Sequence, residues 1–275
     1  MSQPAQAYRC YRHPDRDAYI ACQRCERMIC PACMRDASVG FQCPSCVTEG
    51  AKSVRAPRTI AGGAISANVG VVSFVLIALN VVAYIAQLAT DNTTGSVFQR
   101  GAMQSYAVAD GDYWRLLTAA FLHGSILHIA FNMYALYLFG PFVEKALGTV
   151  RFIAAYLTTA IASSVFVYWL EKPEIATIGA SGAVFGLFGM ALLLLVRAKQ
   201  DVTTLLVLLA INAVISLQGN ISWQGHLGGF VAGCILGAAF AYAPRDRKQL
   251  VQGLVFVAVW IAIVGAVVIR TGQLT

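Results

Sequence analysis

Four polar side chains set in long apolar stretches have the chemistry of acyl transfer: Ser181, His226, His128 and Asn132. A serine hydroxyl is a weak nucleophile until a base removes its proton, and neutral imidazole suits that task near pH 7. His128 and Asn132 are four residues apart, so on a helix they share one face and qualify as donors to a developing oxyanion. Ser181 stands in Gly179-Ala180-Ser181-Gly182 at the head of an apolar run. The first amides of a helix have no intrahelical partner and favour negative charge, so the Ser181 N–H is a further donor. No Asp or Glu falls in the runs near these residues, so a Ser181–His226 dyad is expected, with Phe185 stacking on the imidazole. Bland roles compete. A lone membrane serine ordinarily bonds back to its own backbone or packs against a neighbour, which is the reading for Ser163, Ser164 and Ser216. A lone buried histidine also serves interhelical bonding or a proton path. Asn80 and Asn212 read as packing residues, and His123, nearer the outer water, as structural.

A second chemistry sits near the N-terminus. Cys10-x2-His13, Cys22-x2-Cys25, Cys30-x2-Cys33 and Cys43-x2-Cys46 form four two-ligand pairs, enough for two tetrahedral zinc sites. Disulfides are the competing reading, and a cytoplasmic location with reduced thiols opposes it. A segment this short also has too little core to fold without a staple. With every position filled by protein, both ions would be structural, and catalysis would need no cofactor. Cys234 stands alone and reads as a small packing residue.

The elements that must position these groups follow from composition. The chain has 275 residues, 58% hydrophobic and 12% charged, with mean hydropathy +0.65. Residues 1–58 hold nine Lys/Arg and five Asp/Glu, the remaining 217 only eleven and eight. A small charged piece therefore precedes a large apolar one. The first residues lack the basic-then-apolar pattern of a signal peptide, so the N-terminus is expected to be retained. Seven apolar runs approach the ~20 residues that cross a bilayer: Val69–Leu88, Arg115–Phe139, Phe152–Leu170, Gly179–Val196, Thr203–Leu217, Ser222–Tyr242 and Val251–Ile269. Despite a pI of about 9.1, basic residues cluster in short loops, which speaks for topology and against nucleic acid. Arg55 and Arg58, Lys145 and Arg151, Arg197 and Lys199, and Arg245, Arg247 and Lys248 fall on one side. That side is cytoplasmic by the positive-inside rule, so the N-terminus is inside and the C-terminus outside. The runs carrying His128, Ser181 and His226 then all descend from the outer face. Each polar group lies in the early or middle part of its run, at a similar depth. His226 also shares a helix face with Gly229, Gly233 and Gly237, and Gly179, Gly182 and Gly186 flank Ser181, surfaces suited to close helix approach.

These residues resemble the rhomboid family of intramembrane serine proteases. Gly179-Ala-Ser181-Gly182 with Gly186 is similar to its GxSG segment. Phe121-Leu-His123 followed by His128-Ile-Ala-Phe-Asn132 resembles its histidine–asparagine motif. Gly225-His226 with Gly229 and Gly233 resembles its sixth-helix motif, Trp114-Arg115 its first-loop pair, and Gly140, Glu144 and Gly148 its turn after the second helix. The resemblance spans about residues 65–242. It implies an all-α polytopic membrane protein with a six-helix core, here with a seventh transmembrane helix and a small N-terminal double-zinc module. It further implies Ser181 as nucleophile, His226 as general base, and Asn132 and His128 at the oxyanion. Substrates would be transmembrane segments of single-pass proteins in the bilayer, cut near the outer face of what is expected to be the cell membrane. The alternative is a relative that binds membrane clients without cutting them. The cysteine spacing resembles a B-box-type zinc finger, which implies Cys10, His13, Cys30 and Cys33 on one ion and Cys22, Cys25, Cys43 and Cys46 on the other. A protein partner is expected for this module, and no nucleic acid. The expected divisions are 1–50 for the zinc-binding domain, 51–67 for a linker, 68–243 for the six-helix core and 244–275 for the additional helix and C-terminus.

Overall fold

The structure is a computed structural model that describes residues 8–54, 58–65, 68–216 and 221–275. Arg55, read above among the basic loop residues, and Leu217, the end of the fifth run, lie outside the described residues. The chain divides into two compact units, residues 1–57 and 58–275.

In the first unit, short antiparallel pairs carry the chain from one cysteine to the next. β1 (Tyr8–Arg9) pairs with β2 (Asp17–Ala18), β3 (Ile20–Ala21) with β4 (Met28–Ile29), and, after a 3-10 turn at Pro31–Cys33, β5 (Arg35–Asp36) with β6 (Phe41–Gln42). Ladders of two residues are too short to hold themselves together. A single helix follows, α1 (Pro44–Ser53), begun by Cys43, whose Sγ accepts from the Cys46 amide, and by Pro44, which has no N–H to satisfy. The buried centre is six cysteines with Ala18 and Ile29, against which Tyr11, Met28, Met34 and Phe41 pack only partly buried. That is not a hydrocarbon core, so cohesion must come from the sulfurs.

The second unit is helical. α2 (Val71–Leu88) leads into three short helices, α3 (Ser96–Gly101), α4 (Ser105–Ala109) and α5 (Arg115–Thr118), the last continuing as a 3-10 turn at Ala119–Phe121. Then come α6 (Ile126–Leu147), α7 (Thr149–Leu170), α8 (Ser181–Arg197), α9 (Thr203–Ser216), α10 (Trp223–Tyr242) and α11 (Lys248–Leu274). Among the described residues, α2, α6, α7, α10 and α11 are long and apolar enough to span a bilayer, while α8 and α9 are shorter. The protein is an all-α integral membrane protein with a small cysteine-rich unit before it.

The second apolar run does not begin at Arg115, as its continuous hydrophobicity suggests. The helix starts at Ile126, because Ser125 is extended and its hydroxyl caps the His128 amide at 3.2 Å. It also runs past Phe139, through Pro141, to Leu147. Gly148 ends it with φ +83 and opens α7 directly, a backbone state that favours glycine. The expected linker is also partly structured: α1 continues to Ser53, and Ala61 of residues 58–65 bonds both the Ala146 carbonyl and the Gln252 amide.

α8 occupies the centre of this unit, with residues 182–191 all buried among α6, α7 and α10. Its 17 residues rise roughly 26 Å, short of the ~30 Å hydrocarbon core. A helix sheathed by longer neighbours need not reach either surface, so its first residue can start beneath one. α10 presses on α8 through paired small residues. A Cβ on Gly229 would strike the Gly182 carbonyl, and one on Gly233 would strike Gly186. α11 lies against α7, where the Trp260 indole donates to Thr158 and the Trp169 indole to the Ala266 carbonyl.

Candidate active site and metal centres

Ser181 is the first residue of α8 and is half-buried. The turn before it is fixed from two directions. Thr177 and Met103 exchange backbone bonds at 2.8 and 3.0 Å, and the Gly179 amide donates to the Ala119 carbonyl at 2.9 Å. Gly179 itself has φ +129, and a Cβ there would sit 2.8 Å from His128 Nε2 and 3.6 Å from Ser181 Oγ. Only glycine allows both the backbone and the ring beside it. The missing side chain therefore leaves a gap flanked by the serine oxygen and an imidazole edge.

That edge is a donor. His128 Nδ1 accepts from the Gly124 amide at 3.3 Å, so in the neutral ring the proton rests on Nε2, toward Gly179. Asn132, one turn on and buried, donates from Nδ2 to the His128 carbonyl at 2.8 Å. No bond joins Asn132 to Ser181. His123, read above as part of the second run and nearer water, instead precedes α6 and is fully buried. It packs edge-on against Tyr84 and His128, with neither ring nitrogen bonded. Its backbone is gripped by Gln87 of α2, which accepts from its amide at 3.0 Å and donates to its carbonyl at 2.8 Å.

His226 lies in the first turn of α10, begun by the Ser222 cap. Its ring stacks on Phe185 of α8, centroids 4.1 Å apart and planes within 10°. Its Nδ1 meets Ser216 Oγ at 2.7 Å, a contact no spacing rule announces, because Ser216 is on α9. Nε2 is buried with no hydrogen-bond partner, and it is not bonded to Ser181. The structure thus places the nucleophile candidate and the base candidate on facing, glycine-packed helices, without the bond between them that proton transfer needs. Such bonds are often long until substrate binds.

The loop ahead of the site is held by Arg115, which is buried. It pairs with Asp112 at 2.9 Å and donates to the Gln99 and Ala102 carbonyls at 2.7 and 3.0 Å. Exposed Trp114 beside it donates to the Arg100 carbonyl at 3.0 Å.

In the first unit, the side chains gather as Cys10, His13, Cys30 and Cys33 in one set and Cys22, Cys25, Cys43 and Cys46 in another, donor atoms within 4.8 Å of one another. His13 Nδ1 stands 3.9, 3.4 and 3.3 Å from the sulfurs of Cys10, Cys30 and Cys33, and Cys25 Sγ lies 3.8 Å from Cys43 Sγ. Tetrahedral donors around Zn²⁺ stand about 3.6–3.8 Å apart, so the donor sets fit such an ion. Titration points the same way. Burial opposes the Cys10 and Cys22 thiolates, yet amide hydrogen bonds bring both down to about 6. Burial and the neighbouring sulfurs push Cys33 up to about 11, while hydrogen bonding to Cys25 and then burial push Cys46 up to about 12. Thiols gathered this closely, three in one cluster and four in the other, cannot all ionise together without a cation among them. Both clusters can hold a metal ion.

A family model described as Rhomboid domain matches residues 110–243. The chain is 34% identical over 135 residues to "Putative rhomboid protease YdcA" of Bacillus subtilis (strain 168), covering 47% of this chain and 68% of that one. It is 34% identical over 167 residues to "Rhomboid protease GluP" of the same organism, 58% of this chain but only 32% of that one. With "Rhomboid protease AarA" of Providencia stuartii it shares 24% identity over 206 residues, 63% of this chain and 73% of that one. The cysteine-rich unit, α2 and α11 all lie outside the matched family segment.

Proposed function

Since the chain belongs to the rhomboid family, we propose that it is an intramembrane serine endopeptidase, with Ser181 as nucleophile and His226 as general base. The observation that carries this reading is the open, buried Nε2 of His226, clamped by Phe185 across from the Ser181 turn. Nε2 takes the hydroxyl proton as Oγ attacks a peptide carbonyl. The oxyanion forms beside the His128 Nε2–H, with Asn132 and the first α8 amides as further donors. The protonated imidazole then gives its proton to the leaving amine, and water, activated by the same base, releases the acyl group. A peptide bond must be unwound to enter this gap, so the substrates are transmembrane helices with small, helix-breaking residues, in single-pass membrane proteins. Basic loops put the N-terminus in the cytoplasm and the site toward the outer face of the cell membrane.

Incubation of the purified protein with a model transmembrane substrate tests this. Wild type should cleave, while Ser181→Ala and His226→Ala should lose activity by several orders of magnitude. Equal cleavage by all three removes the assignment, and binding without cleavage by wild type favours a non-proteolytic client-binding role.

The first unit, in this reading, is a zinc-binding domain carrying two structural Zn²⁺, one per cluster, with a protein partner to recognise. Amide and guanidinium donors already point at the sulfurs, from Cys46 N to Cys43 and from Arg27 to Cys25, each at 3.3 Å, which offsets thiolate charge. Metal analysis in reducing buffer should return about two zinc per chain.

A further inference from the structure

We infer that Ser216, on α9, is a positioning residue for the catalytic base: it accepts a hydrogen bond from His226 Nδ1 and so holds the imidazole in the tautomer whose free Nε2 can deprotonate Ser181. The inference rests on the protease reading above.

Proton counting carries it. Ser216 Oγ lies 2.7 Å from the Asn212 carbonyl and 2.7 Å from His226 Nδ1. A carbonyl oxygen only accepts, and the hydroxyl has one proton. If that proton goes to Asn212, the Nδ1 contact is a bond only when the imidazole donates. The chain Nδ1–H to Oγ, then Oγ–H to the carbonyl, satisfies every atom in it. The opposite arrangement turns the hydroxyl toward Nδ1, takes the serine's bond from the Asn212 carbonyl and puts the ring proton on Nε2. Nε2 is buried and has no acceptor, so this would strand an N–H, the rarer and costlier kind of unpaired group. The first arrangement leaves only a lone pair unpaired there, and a lone pair is what a general base presents.

Geometry reinforces the assignment. Phe185 fixes the ring plane from one face, but a stacked phenyl cannot tell the two ring nitrogens apart. Ser216 can. It is itself buried, and no carboxylate contacts the imidazole among the described residues, so the hydroxyl fills the place that an aspartate occupies in a charged triad. A neutral acceptor orients the ring without adding a buried negative charge, which an apolar surround would penalise.

The test uses the full chain in detergent micelles or bilayers with ¹⁵N-labelled histidine, read by NMR, alongside cleavage kinetics. Wild-type His226 should show the Nδ1–H tautomer. Ser216→Ala should mix the two tautomers and lower kcat about tenfold, equivalent to ~1.4 kcal/mol, with KM little changed. Ser216→Thr, which keeps the hydroxyl, should restore both the signal and most of kcat. An Nε2–H tautomer in wild type, or an unchanged tautomer and kcat in Ser216→Ala, overturns the inference. Should wild type fail to cleave any substrate, the protease reading falls, yet the tautomer signal still decides whether Ser216 orients the ring.

Discussion

Gly179 concentrates the demands of the site on one backbone position. Its φ of +129 is one that L side chains rarely adopt, and its missing Cβ is the space between His128 Nε2 and Ser181 Oγ. In Gly179→Ala, the methyl group would occupy the space proposed for the oxyanion, and the backbone strain adds about 1–2 kcal/mol. The expected result is a fall in kcat of at least tenfold on a transmembrane substrate, with helical content by circular dichroism unchanged. Unaltered kcat would show that the oxyanion forms elsewhere. At this scale the candidate residues were legible because polar groups are costly in apolar runs, and those that persist stand out. Ser216 was not. A serine on an apolar helix has a sufficient bond to its own backbone, and Ser216 makes that bond too. Only the fold shows that its oxygen also serves a histidine on another helix.

Helix by helix, what could be read depended on length. Long apolar runs identify spans because a bilayer requires about 20 of them in a row, and the ends of α2, α7 and α10 fall within three residues of the runs read from sequence. The stretch from Ser96 to Phe121 contains helices of only four to six residues, too short for periodicity to register. They owe their shape to tertiary bonds, chiefly those of Arg115. This gives a sharp expectation. Arg115→Ala leaves Asp112 without its partner and the Gln99 and Ala102 carbonyls unbonded, in surroundings where the arginine side chain is only 10% exposed. Breaking such a pair from one side costs about 3 kcal/mol or more. Arg115→Lys should recover little, since a single ammonium cannot reproduce the guanidinium fork that serves three acceptors. Thermal unfolding in micelles would register both, as a lowered midpoint. A lysine variant as stable as wild type would show that charge alone suffices.

At the scale of the whole molecule, the two units are stabilised by different physics. The helical unit has a hydrophobic core of its own and helices that satisfy their backbones internally, and among its described residues no cluster of metal-ligating side chains occurs. The first unit has six cysteines where a core should be and ladders two residues long, so its folding free energy must come largely from the ions its clusters would hold. Cysteine spacing pointed to zinc, while the grouping of pairs into two sets followed from family resemblance and not from spacing. Metal removal should therefore divide the molecule. With a strong chelator at neutral pH, about two zinc should leave per chain, and amide signals from residues 8–54 should collapse toward unfolded positions. Signals from α2 to α11 should stay in place. Lowering the pH should act in the same direction, because each thiolate ligand must be deprotonated and protons compete with the metal. Cys22→Ser removes one ligand from one cluster and should release about one ion while destabilising the entire unit, since its strands thread both clusters. If the first unit keeps its dispersed amide signals after complete metal removal, sulfur packing alone must hold it, and the zinc reading fails while the helical unit's chemistry stands untouched.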